Sequence, residues 1–148
     1  MINNLIVNPS PKKHFFNQTR LHEANYLLLK TLLGDLETLS PQYSFSLMGD
    51  SHLEITLKEQ HRYTSIIYFT LSLPHLKPFN NDLYLEARIY HDAHVVEVTH
   101  FQGHGRFSVQ CKTPNMKGYH MDEKQQANRM LQESLRYALK STKLLNSS

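Results

Sequence analysis

From Thr19 to about Leu39 the apolar positions recur at the helical period. Advancing about 100° per residue places Leu21, Leu28, Leu29, Leu32, Leu33, Leu36 and Leu39 on one broad arc, with Glu23, Lys30 and Glu37 opposite. Asn25 projects from the middle of that arc, where an unpaired amide would cost about 1–3 kcal/mol. After "SPQ" the period falls to 2. Tyr43, Phe45 and Leu47 alternate with serines, "MGDS" supplies a turn, and Leu53, Ile55 and Leu57 alternate with polar residues. The run "YTSIIYFTLSL" is apolar on both parities and rich in β-branched and aromatic residues, which suits a central strand.

Beyond the loop "PHLKPFNND", residues 83 to 91 and 94 to 101 read as a hairpin, and "QGHG" turns the chain into a sixth strand, "RFSVQC". Such short links argue antiparallel pairing, because parallel strands need crossovers of about a dozen residues or more. From Asp122 the helical period returns, with Ala127, Met130, Leu131, Leu135, Tyr137 and Ala138 on one arc. Lys124 and Asn128 fall within the same arc, so the opening turns of its buried side are polar. The expectation is an α+β fold, an antiparallel meander of about six strands with an N-terminal and a C-terminal helix packed on it. Residues 1–16, broken by "NPSPKK", read as a poorly ordered extension, and residues 17–145 as a single domain.

Composition narrows the class. A chain of 148 residues, 40% hydrophobic and 20% charged, is long enough for one core and ordinary for a globular domain. No apolar run approaches the roughly 20 residues of a membrane span, and the first residues lack a secretory pattern, so a cytoplasmic protein without a membrane partner is expected. The single cysteine, Cys111, shares strand parity with Phe107 and Val109 and reads as a buried thiol. Net charge is +3, with the basic excess after residue 105. Those charges are scattered and carry no interleaved aromatics, which argues against nucleic acid and for a solvated helix face.

The richest chemistry lies in "ARIYHDAHVVEV", residues 87–98. With Asp92-Ala93 as a two-residue loop, His91 faces His94, Tyr90 faces Val95, Ile89 faces Val96, Arg88 faces Glu97 and Ala87 faces Val98. Arg88 and Glu97 then form a cross-strand ion pair. Asp-Ala is a poor primed turn, so a longer loop is the alternative. A metal site from His91, His94, His100 and His104 fails on geometry, because six residues along a strand separate His100 from the tip by about 20 Å. No phosphate loop, nucleophile elbow or paired-cysteine motif is present.

Four stretches together resemble a known family: "LHEANY", "EQHRYT", "RIYHDAHVVEV" and "PNMKGYHMDEKQQANRMLQESLRYAL". In this order they resemble the YqiB-like family of gammaproteobacterial domains of unknown function, over about residues 19 to 140. The resemblance implies an uncharacterised cytoplasmic protein, names no reaction, cofactor or metal, and leaves His94, His100 and His104 outside its pattern. Joined to helical geometry, it suggests that Asn25, Lys124 and Asn128 meet Glu97, Arg88 or Asp92 in a partly buried polar network near "PNMKGYH", read either as fold-specifying hydrogen bonds or as a ligand site with Asn25, Arg88, Tyr90, Asn115, Lys117, Lys124 and Asn128 as candidate contacts. The leading expectation is a non-enzymatic binding or regulatory module for a protein partner or a small anionic ligand. The alternatives are a small hydrolase or lyase using His91 or His120 as general base with Asp92 or Glu97 as orienting carboxylate, and weak RNA binding.

Overall fold

A computed structural model describes the backbone of residues 10–73, 82–103 and 117–146, with side chains for 18–73, 82–101 and 123–143. The order is helix α1 (Ser10–Leu33), strands β1 (Gln42–Ser46), β2 (His52–Gln60), β3 (Thr64–Ser72), β4 (Leu83–Tyr90) and β5 (Val95–Gly103), then helix α2 (Lys117–Asn146). The strands form an antiparallel meander in the order β1-β2-β3-β4-β5. The α+β architecture is as expected, with five described strands rather than about six. The stretch "RFSVQC", including Cys111, lies outside the described residues, as do "PHLKPFNN" and residues 1–9.

Strand alternation divides the sheet into two faces. Leu53 and Ile55 of β2, Ile67, Phe69 and Leu71 of β3, Leu85, Ala87 and Ile89 of β4 and Val96 and Val98 of β5 are all buried. They share one core with Tyr26 and Leu29 of α1 and Ala127, Leu131, Leu135 and Ala138 of α2, so both helices cover this face. The opposite face carries Thr56, Tyr68, Thr70, Tyr84, Glu86, Arg88, Tyr90 and Glu97, half-buried or exposed. Polar parity leaves that second face largely open among the described residues, the exception being Ile66 of β3, buried beside its register partner Arg88.

Helix bounds differ from the periodicity. α1 starts at Ser10, ahead of Thr19, because Pro11 falls in its first turn, where a missing N–H breaks no helical hydrogen bond. It stops at Leu33, short of Leu39: Gly34 takes φ +92° and donates its N–H to the Lys30 carbonyl at 2.8 Å, the left-handed terminator that glycine adopts at least cost. α2 starts at Lys117, ahead of Asp122. In the β1–β2 turn Gly49 and Asp50 both have positive φ (+65° and +62°), a primed geometry that matches hairpin twist.

The β4–β5 hairpin keeps the expected pairs Tyr90–Val95, Ile89–Val96, Arg88–Glu97 and Ala87–Val98. Its connection, however, is a four-residue turn over 91–94, closed by the His94 N–H on the Tyr90 carbonyl at 2.9 Å. His94 sits at φ +59°, so His91 and His94 are not the cross-strand pair that a two-residue loop would make. Two further irregularities shape the open face: β2 bulges at Lys58, between Leu57 and Glu59, and β5 bulges at Thr99, where Glu86 pairs with His100 and Ala87 with Val98.

Candidate functional site

Asn25, Asn128, Lys124, Glu97 and Tyr90 of the expected polar network come together where α1, α2 and β5 meet. Asn128 Oδ1 accepts the Val98 N–H at 3.0 Å, and its Nδ2 donates to the Lys124 carbonyl at 2.9 Å. Asn25 Nδ2 donates to the Asn128 carbonyl at 3.0 Å. β5 is the edge of the described sheet, and an edge strand leaves alternate backbone groups unpaired. Asn128 serves one of them as a further strand would. Both asparagines are buried, at 0% and 2% exposure, which assigns them to holding helix, helix and edge strand together. Asn25 Oδ1 is buried without a partner among the described atoms.

Around this buried core lies a half-exposed shell. Lys124 Nζ pairs with Glu97 Oε2 at 2.9 Å, and the Tyr90 hydroxyl donates to Glu97 Oε1 at 3.4 Å. The ion pair of Glu97 is therefore with Lys124 of the second helix, not with Arg88, its register partner. Arg88 Nε is buried with no hydrogen-bond partner among the described residues. His22 of α1 belongs to the same shell: burial holds its imidazole below the ordinary value, the Glu97 carboxylate pulls it back up, and the Lys124 charge adds to the lowering.

The β4–β5 turn is tied inward. His91 is 4% exposed, its Nε2 lies 2.8 Å from Ser65 Oγ, and its backbone N–H donates to the Tyr63 carbonyl at 2.9 Å, joining the tips of both hairpins. Ser65 shares a register row with Ile89 and Val96, whereas Glu97 occupies a row of the open face. His91 and Glu97 are thus not brought together. The His94 ring stacks on Tyr26 with centroids 5.0 Å apart and planes 24° apart. Asp92 is exposed. The side chains of Lys117 and His120, and Asn115 entirely, lie outside the described residues. No cluster of three His, Cys, Asp or Glu side chains able to hold a metal occurs among the described residues.

A second group sits on the open face. The row Thr56–Tyr68–Glu86–His100 crosses four strands in register. Glu86 is its focus: Oε1 lies 3.3 Å from Lys58 Nζ, and Oε2 lies 3.3 Å from both His100 Nδ1 and Thr99 Oγ1. Lys58 and Thr99 are the two bulged residues. A bulge re-aims the side chain it carries, and here both extra residues reach one carboxylate. Burial pushes Glu86 up, but the Lys58 hydrogen bond and charge, His100 and Thr99 together hold it below the ordinary glutamate value. A groove of about 540 Å³ opens beside it, lined by Thr56, Tyr68, Thr70, Tyr84, Glu86 and His100.

Of the residues marked in the sequence, Asn25, Asn128, Lys124, Glu97 and Tyr90 are linked by hydrogen bonds or an ion pair, and Arg88 is the register partner of Glu97. Sequence reasoning passed over His22, although the spacing His22, Asn25, Leu29 puts it on the same helical face. It also passed over Lys58, Tyr68 and Glu86. Parity alone places these on a polar face, but only the bulges and the register of four strands bring them together.

The family described as "Protein of unknown function (DUF1249)" matches residues 28–144. Over 125 residues the chain is 31% identical to the "Uncharacterized protein YqiB" of Escherichia coli strain K12, covering 84% of this chain and 88% of that protein, and equally to its counterpart in E. coli O157:H7. No solved structure matches. No described helix is long and apolar enough to cross a membrane.

Proposed function

The chain belongs to the DUF1249 family of proteins of unknown function, and from that premise we propose a non-enzymatic binding module that engages a protein partner through the polar end of the sheet. One observation carries this reading. The stretches "LHEANY", "EQHRYT", "RIYHDAHVVEV" and the opening of α2, distant in sequence, are joined at that end by Asn25 to Asn128, Tyr26 to His94, His91 to Tyr63 and Lys124 to Glu97. The buried members are consumed in holding elements together. The exposed members, Tyr63 at 54% exposure with Arg62 5.3 Å above its ring, and Lys124, remain available to a partner. Tyr and Arg are the residue types that anchor protein interfaces.

The enzymatic alternative gains no support from His91, which is 4% exposed, hydrogen bonded to Ser65 and set apart from Glu97. A small anionic ligand is the second reading, favoured by Arg88 Nε, a buried cationic donor with no partner among the described residues.

Affinity capture of the tagged chain from the cytoplasm of its native cell, with mass analysis of bound proteins and metabolites, tests the two. The expected result is a discrete protein retained by the parent chain and lost, with folding intact by circular dichroism, in Tyr63→Ala and Lys124→Ala. A co-eluting metabolite lost in Arg88→Gln would favour the anionic ligand instead. Retention of the same protein by both Tyr63→Ala and Lys124→Ala would refute the interface.

A further inference from the structure

We propose that the groove on the open sheet face is a binding site for a small molecule carrying an alkylammonium group, and that Lys58 is its internal occupant. A buried or half-buried carboxylate demands a cation, and an aromatic face adds to the attraction of an ammonium through its quadrupole. Glu86 and Tyr68, cross-strand neighbours, offer both. The Lys58 ammonium lies 5.0 Å from the Tyr68 ring centroid and 3.3 Å from Glu86 Oε1. Tyr84 stands diagonal to Tyr68, two residues from Glu86 on the same face of β4, and both rings line the groove.

The lysine is exposed and attached at a bulge, on a long flexible stem, so it can leave. Glu86 cannot: its carboxylate is 18% exposed and fixed by Thr99 Oγ1 from the other side. The described lining of the groove carries the Glu86 carboxylate, phenols, threonine hydroxyls and the His100 imidazole on Glu86 Oε2, which leaves Oε1, now held by Lys58, as the point where an ammonium would dock. The volume of about 540 Å³ is of the size that holds a small molecule rather than a folded segment. Hydrogen bonds to Tyr68 and Glu86 raise the Lys58 pKa, consistent with an ammonium already held in a cation site.

The full chain, labelled with ¹⁵N, is titrated with n-butylammonium and, separately, with butyrate, while amide shifts of residues 56, 68–70, 84–86 and 100 are followed. The expected result is saturable shifts confined to these residues with n-butylammonium and none with butyrate. Lys58→Ala removes the internal competitor; if Lys58 fills the site about nine-tenths of the time, affinity for n-butylammonium rises about tenfold. Glu86→Gln abolishes the saturable shifts. Should that variant lose its folded amide dispersion, Tyr68→Leu, on an exposed ring, takes its place with the same expected loss. Binding of butyrate at equal or higher affinity, absence of saturable shifts with n-butylammonium, or unchanged affinity in Lys58→Ala would each overturn the proposal. A lysine-centred tripeptide binding tenfold tighter than n-butylammonium would overturn the small-molecule assignment in favour of a protein side chain.

Discussion

Single side chains in this protein are chosen for having both halves of a hydrogen-bonding pair, or for the charge state that their surroundings permit. Asn128 uses its oxygen on Val98 and its nitrogen on Lys124; aspartate would lack the donor and leucine both. His22 is selected on the second ground, since burial beside Lys124 disfavours its imidazolium more than Glu97 supports it. The unfolded chain therefore takes up the His22 proton first as pH falls through about 6.5. This contribution to stability is fully present above that pH and drains as pH drops toward the lower folded value. Urea unfolding at a series between about pH 7.5 and 5.5 should show the parent losing more stability on acidification than His22→Gln. Equal losses in the two proteins would mean that the imidazole is as easily protonated in the fold as out of it.

Elements are bounded by backbone chemistry that periodicity does not report. The leucine arc continues past Leu33 to Leu36, which is buried, yet the helix ends because Gly34 turns left-handed. A Cβ at Gly34 would meet nothing within 4 Å, so the cost of Gly34→Ala is conformational alone. About 1 kcal/mol is expected from forcing an L-residue to that φ, read as a shift in the urea midpoint with an unchanged slope. Strand faces were legible where alternation is clean, since it is a property of each strand alone: Leu53, Ile55, Leu85 and Val98 announce their inward side, whereas β3, apolar on both parities, does not. The pairing of Arg88 with Glu97 was legible because the apolar partners of that hairpin allow one register. The turn at 91–94 and the bulges at Lys58 and Thr99 were not, since one extra residue disturbs a pattern too briefly to be told from noise. For that reason the asparagine network could be anticipated from helical faces, while the Glu86 centre, built by two bulges across four strands, could not.

At the scale of the molecule, α2 is a strut fastened to the sheet at two places. Asn128 holds it to the β5 edge, and Tyr137 and Ser141 hold it to the β1–β2 turn: the Tyr137 hydroxyl lies 2.8 Å from the Met48 carbonyl and 3.2 Å from Ser51 Oγ, and Ser141 Oγ accepts the Met48 N–H at 3.4 Å. Nine residues separate the first fastening from Tyr137, about 14 Å of helix at 1.5 Å per residue. Asn128→Ala leaves the Val98 N–H buried and unpaired, a loss of about 2–3 kcal/mol, and Tyr137→Phe removes a partly exposed bond, about 1 kcal/mol. Between the two, Ala127, Leu131, Leu135 and Ala138 are buried in the common core, which keeps the helix seated when either end is released. The two losses should therefore add within about 0.5 kcal/mol in the double variant, as expected of sites this far apart with no shared partner. Urea unfolding of the four proteins measures this. A double loss well below the sum would show that freeing one end already frees the other, so that α2 docks all or none and the sheet is braced by a single cooperative contact rather than by two.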